Sequence, residues 1–247
     1  MNPIQHSGSL GGKIASKFRL PEIRTPAEFD AASHLSAEET ALGKTLLKKI
    51  PDSDGWAILG NDPELQALWA IMERQYMAFF ESFQGVPLSQ MNLITLIAAR
   101  HAGSDYVFGL LAALTVRQIA AYKMPLDYGA KLAVLDSPDS VLWTEQERLV
   151  LQFTWASLQN RMTDELFAQA RAAWGEKTLL RSLAWASYVS MWGMVANTLN
   201  MKFHADMIPP GFAIPPEAVS GMLPFVQATR MQMRAFVQDT LSDFPGR

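Results

Sequence analysis

The stretch Asn92-Leu-Ile-Thr-Leu-Ile-Ala-Ala-Arg-His-Ala-Gly-Ser-Asp-Tyr-Val-Phe-Gly-Leu-Leu111 decides the fold class. Leu93, Leu96, Ile97 and Arg100 recur at three- and four-residue spacing, which puts them on one face of a helix over roughly 88–102. His101-Ala-Gly103 makes a short corner, and Ser104-Asp105 can cap the next helix, which continues to about Tyr122. The pattern is helix, polar corner, helix.

Outward from this pair the same signals repeat. On the N-terminal side, Ser36-Ala-Glu-Glu39 is a capping box opening a helix to about Ile50, which stops at Pro51-Asp-Ser-Asp-Gly55. Asn61-Asp-Pro63 opens the next. Its apolar residues Leu65, Leu68, Trp69, Met72, Tyr76, Phe79, Phe80 and Phe83 share one face, broken near Gly85-Val-Pro87. Residues 1–35 read as an extended arm, interrupted by Gly8, Gly11, Gly12, Pro21 and Pro26. Downstream, a short helix is expected over 127–135, and Thr144-Glu-Gln-Glu147 opens another to about Leu158. Thr163 opens one to Trp174, and Glu176 to Met201 forms a long apolar helix. Pro209, Pro210, Pro215 and Pro216 make a stiff linker before a final helix to about Leu241. No alternating apolar pattern occurs, so the expectation is all-α with about eight or nine helices. The arm and first helix span 1–44, a helical core 45–205, and the linker with the C-terminal helix 206–247.

Composition narrows the function classes. The 247 residues are 49% hydrophobic and 18% charged, which is globular, and the net charge of −3 comes without a basic stripe, so no nucleic-acid partner is expected. The most apolar stretch, Leu183 to Leu199, is interrupted by Ser187, Ser190 and Asn197, which suits a buried helix better than a membrane span. Met1 to Lys17 lacks an apolar signal core, so a soluble, cytoplasmic protein is expected. With no cysteine there is no disulfide, thiolate nucleophile or Cys-bound metal. The four histidines, His6, His34, His101 and His204, lie far apart, so no metal site is expected. Phosphate-binding glycine loops and Gly-x-Ser-x-Gly elbows are absent.

The segment over 92–122 resembles the signature of the carboxymuconolactone decarboxylase and alkylhydroperoxidase-D-like (AhpD-like) family, in which a helix leads through a polar corner into a second, chemistry-bearing helix. Asn61-Asp-Pro-Glu-Leu65 is similar to the family's upstream Asn-Pro-Glu-Leu element, and Leu142-Trp-Thr-Glu-Gln-Glu147 to its Trp-Thr/Ser-x-x-Glu element. Tyr188 to Met201 falls on its last core helix, and the likeness covers roughly residues 60–205. Ser104 and Tyr106 match the cysteine-free branch, with Phe108 standing in for a Trp. The family's helix-start Glu falls on Asn92, its acidic or second-Cys position on Val107 and its His on Leu111. Three proton-handling positions therefore lack an ionisable group, and thiol peroxidase chemistry is excluded.

The remaining polar groups near that site are the candidates. His101 can move a proton near neutral pH, or simply cap a turn. His204 can close over a pocket, or meet helix-end carbonyls. Tyr106 can bond a substrate carbonyl, or sit satisfied in the core. Arg100 can clamp an anion, or be an exposed charge at a helix end. Asn92, Tyr188, Trp192 and Asn197 complete the substrate-binding set. The resemblance implies a homo-oligomer, at least a dimer. It also implies a cofactor-independent, lyase-like enzyme, acting by decarboxylation or a related proton-transfer or elimination step on a small ring-containing or carboxylated metabolite. A non-catalytic binding or scaffold protein that kept the fold is the alternative.

Overall fold

Local capping chemistry sets where the helices begin. The computed structural model describes residues 18–50, 52–81, 88–121, 128–204 and 207, with residues 228, 231, 232, 234 and 235. Among them nine helices and no strand occur: α1 (Pro26–Ala31), α2 (Ala37–Leu46), α3 (Asp54–Leu59), α4 (Pro63–Glu81), α5 (Leu88–His101), α6 (Asp105–Ala121), α7 (Tyr128–Leu132), α8 (Glu145–Leu158) and α9 (Asp164–Thr198). The all-α expectation holds. Capping boxes open α2 through Ser36 and Glu39 and α8 through Thr144 and Glu147, where the sequence predicts them. The Asp62 carboxylate accepts from the Leu65 N–H at 2.9 Å ahead of α4, and the Ser104 hydroxyl from the Val107 N–H at 3.3 Å ahead of α6. The first 17 residues lie outside the described residues, as do the Pro-rich linker and, apart from the five positions above, the expected C-terminal helix.

Two short helices differ from the sequence reading. Pro26 does not interrupt α1 but starts it, because a proline at the first helical position gives up only an N–H that has no helical partner. Thr25 and Glu28 complete a capping box there. The stretch after Pro51 is not all loop, since α3 follows within three residues. Its single turn and a half is too short to show a period. It forms by burying Trp56, Ala57, Ile58 and Leu59. The break expected between Trp174 and Glu176 appears as a kink inside α9, where Gly175 takes a φ of +75°, a conformation glycine adopts without steric cost.

α5 is the centre of the bundle. Every residue from Asn92 to Ala99 is buried, and the helix packs against α6, α8 and α9. The α5–α6 corner turns at Gly103, whose φ of +62° lets the Ser104 N–H reach back to the Ala99 carbonyl. α9 runs in the same direction as α5, since Trp185 meets Thr95 and Asn197 meets Ala102. The approach is close: a Cβ on Gly193 would sit 2.5 Å from that of Ala102. α4 follows the predicted stripe in part: Trp69 is buried and Met72 packs on the core, while the side chains of Tyr76, Phe79, Phe80 and Phe83 lie outside the described residues. It buries Gln66, Trp69 and Ala70, while Leu65 and Leu68 are 36% and 53% exposed. The reason is that its partners are α2, α3 and α9, and the face toward them passes through Trp69 rather than Leu68.

Candidate active site

Five helices surround a cavity of about 150 Å³ beside α5. A space of this size holds a single six-membered ring. The α6 wall is Tyr106, Val107, Leu110 and Leu111, which fall on one face because residues four apart share it. The α9 wall is Trp185, Tyr188, Val189 and Trp192, at steps of three and four. Ser53, Gly55 and Trp56 come from the start of α3, Glu73 from α4 and Thr95 from α5.

Aromatic rings brace one another around it. Trp185 and Tyr188 stack with centroids 5.5 Å apart, and Trp192 meets Trp56 edge-on at 5.5 Å and Trp69 at 4.8 Å. The Trp185 indole donates to the Thr95 hydroxyl at 2.7 Å, and that hydroxyl donates to the Met91 carbonyl at 2.7 Å. The Tyr106 hydroxyl accepts from the Gly55 N–H at 3.2 Å. A Cβ on residue 55 would sit 3.0 Å from the Trp192 ring, so a larger residue fits only if that ring gives by a few tenths of an ångström. Burial, with the charge of Asp54 beyond it, pushes the Tyr106 phenol up to about 12, so the phenol is neutral across the physiological range.

Glu73 is the ionisable carboxyl of this wall. The Tyr188 hydroxyl donates to its Oε2 at 3.0 Å. Burial drives its pKa above the ordinary glutamate value, against the opposing effects of the Tyr188 hydrogen bond and Arg74. Arg74 itself donates to the Lys49 carbonyl at 2.8 Å and is not among the lining residues. A carboxyl raised by an apolar site and held by one hydroxyl is a candidate proton donor and acceptor. That is the chemistry this arrangement can perform.

The structure brings together three of the residues singled out in the sequence: Tyr106, Tyr188 and Trp192 line the cavity. The other five do not. Asn92 is buried inside α5, with no hydrogen-bond partner for its Nδ2 among the described residues. Arg100 is exposed, and its guanidinium donates to Asp136 at 3.1 and 3.3 Å. His101 is exposed, its ring edge-on to Trp155 at 6.0 Å. Both sit at the end of α5; His101 is six residues past Thr95, or about 9 Å along the helix axis. Asn197 donates to the Ala102 and Gly103 carbonyls, closing the α5 end, and His204 is exposed beyond α9. Glu73, Thr95 and Trp185 are the additions. The signal for Glu73 was present: an acid four residues after Trp69 and three before Tyr76, on an otherwise apolar face.

No family model matches the chain, and no curated protein matches it in sequence. Among solved structures it is similar to the debrominase Bmp8 in its apo form, at 14% identity and a TM-score of 0.51, over 86% of this chain and 98% of that one. It also matches a protein from Agrobacterium tumefaciens described as of unknown function and a putative antioxidant defence protein AhpD. That match has 17% identity and a TM-score of 0.48, over 60% of this chain and 96% of that one. The chain has an AhpD-like fold. Identities this low speak for the fold alone. Within the AhpD-like bundle, Val107 and Leu111, the positions that the resemblance assigns to the family's proton-handling groups, line the cavity. Neither side chain can carry a proton, and the carboxyl that lines the cavity is on α4.

Among the described residues no helix is long and apolar enough to cross a membrane, and no three of His, Asp and Glu come together to hold a metal ion.

Proposed function

We propose that the chain is a lyase-like enzyme that works with its own side chains on a small ring-containing molecule, with Glu73 as general acid or base. The observation that carries this reading is Glu73 itself, a raised carboxyl bonded to Tyr188 and lining a ring-sized cavity. Proton transfer and elimination suit this cavity better than decarboxylation. Among the described residues no Arg, Lys or His lines it to hold a carboxylate, and Arg100 is engaged with Asp136 at the surface. Tyr188 orients the Glu73 carboxyl, and the indole walls keep bulk water from it. The test is exchange of carbon-bound hydrogen. Single-ring ketones, lactones and amines are incubated with the protein in D2O, and deuterium uptake is read by mass spectrometry. The enzyme is expected to label at least one, and Glu73→Gln to label none above background.

A binding protein is the second reading, favoured by Val107 and Leu111, which put apolar surface where the family's chemistry would lie. Labelling that is absent, or equal in Glu73→Gln, would leave this reading standing.

Self-association, at least to a dimer, belongs to the same proposal. Leu65 and Leu68 on α4 and Met194 on α9 are exposed apolar side chains, Met194 at 62%. Light scattering at micromolar concentration is expected to give twice the chain mass or more, and a monomer would count against it.

A further inference from the structure

We infer that the cavity takes a small organic cation, a single ring bearing a protonated or quaternary nitrogen that faces the Glu73 carboxylate among the indole rings. This rests on the reading above that the cavity is the substrate site, and it names the charge of what enters.

The argument is one of charge and surface. Trp56, Trp185 and Trp192, with Tyr106 and Tyr188, give the cavity walls of aromatic faces and edges. Aromatic faces attract cations through their quadrupole, and do so more strongly when water is excluded. Among the described residues Glu73 supplies the one carboxyl of the lining, and no basic side chain lines the space. The charges behind the walls are of both signs, with acids in the majority behind α3. There Glu22, Asp52 and Asp54 are paired with the guanidinium of Arg24. On α4, Arg74 donates to the Lys49 carbonyl and acts on Glu73 as a nearby positive charge. The α5, α6 and α9 walls present the hydroxyls of Thr95, Tyr106 and Tyr188. An anion would meet the Glu73 carboxyl with the Tyr106 hydroxyl as a neutral donor, whereas a cation would meet a carboxylate and aromatic faces.

Proton linkage follows. In the empty cavity burial favours the neutral carboxyl, and a bound cation favours the carboxylate, so binding expels a proton. Affinity for a cation that does not itself titrate therefore rises with pH until Glu73 is ionised in the free protein.

The probes are N-methylpyridinium, a permanent cation, its neutral isostere toluene, and benzoate, each titrated calorimetrically against the full chain between pH 5 and 8. N-methylpyridinium is expected to bind at least about tenfold tighter than toluene at pH 8, with a preference that shrinks toward pH 5. Benzoate is expected to bind weakest. Glu73→Gln is expected to lose the preference while still binding toluene, which shows that the cavity is intact. Equal or tighter binding of toluene or benzoate would overturn the inference, as would an undiminished preference in Glu73→Gln. If the preference fails while Glu73-dependent deuterium exchange persists, only the charge class falls. If no probe binds, the cavity is not the site and both readings fall.

Discussion

Glu73→Gln is expected to slow turnover by about 10²–10⁴-fold, the range that general acid–base groups contribute, while leaving the chain folded. The glutamine carbonyl can still accept from Tyr188, so the hydrogen bond across α4 and α9 survives. Stability gives an independent reading of the same group. Burial raises the Glu73 pKa above its unfolded value. Its favourable contribution is thus fully present below the unfolded pKa of about 4.3 and is lost as pH rises through the folded pKa. Glu28, Glu39 and Glu165 are shifted the other way by hydrogen bonds at helix starts, so they lose stability on acidification in both proteins. In thermal unfolding from pH 4 to 9, the difference between wild type and Glu73→Gln therefore isolates Glu73, and it should grow in favour of the variant as pH rises. The His101→Ala, His204→Ala double variant is expected to keep its activity, because both imidazoles are exposed and outside the cavity lining. Full activity in Glu73→Gln, with loss in the double variant, would return the chemistry to the corner and the end of α9.

Trp185→Ala is expected to cost about 3–5 kcal/mol of folding stability, the range for deleting a buried aromatic side chain. The indole is 7% exposed, stacks on Tyr188 and donates to Thr95. Its removal opens a void between α5 and α9. Trp185→Phe keeps most of the packing and loses the donor, and a loss of about 1 kcal/mol is expected. Chemical denaturation of both variants measures the two values. Near-equal costs would mean that the hydrogen bond, rather than the ring, carries the contact. Ligand affinity should follow the same order, since the stacked pair positions the hydroxyl that holds Glu73.

Helix starts were legible because they are local. A Ser or Thr with Glu three residues on places its bonds within one turn, and Ser36, Thr144 and Ser104 cap as their spacing predicts. The break at Gly175 and the corner at Gly103 were legible for the same reason: a positive φ is the residue's own property. α3 was not, because six residues show no period and its helix depends on burying Trp56, Ile58 and Leu59. The α4 stripe holds at Trp69 and Met72 and fails at Leu65 and Leu68. Leu65 and Leu68 face outward because neighbouring helices, not hydrophobicity along the chain, choose which of two adjacent apolar faces is covered.

The missing cysteines, the helix–corner–helix segment at 92–111 and the loss of ionisable groups at Val107 and Leu111 are properties of the sequence by itself, and they exclude thiol chemistry whatever the packing. The candidate acid is a property of the tertiary structure. Glu73 and Tyr188 stand 115 positions apart. They meet because α4 and α9 cross with those faces inward, while Arg100 and His101 are carried past the cavity to the surface by the length of α5. Caps and turns act over three or four residues. Convergence of polar groups is set by the angle and rotation of whole helices, which no local pattern records.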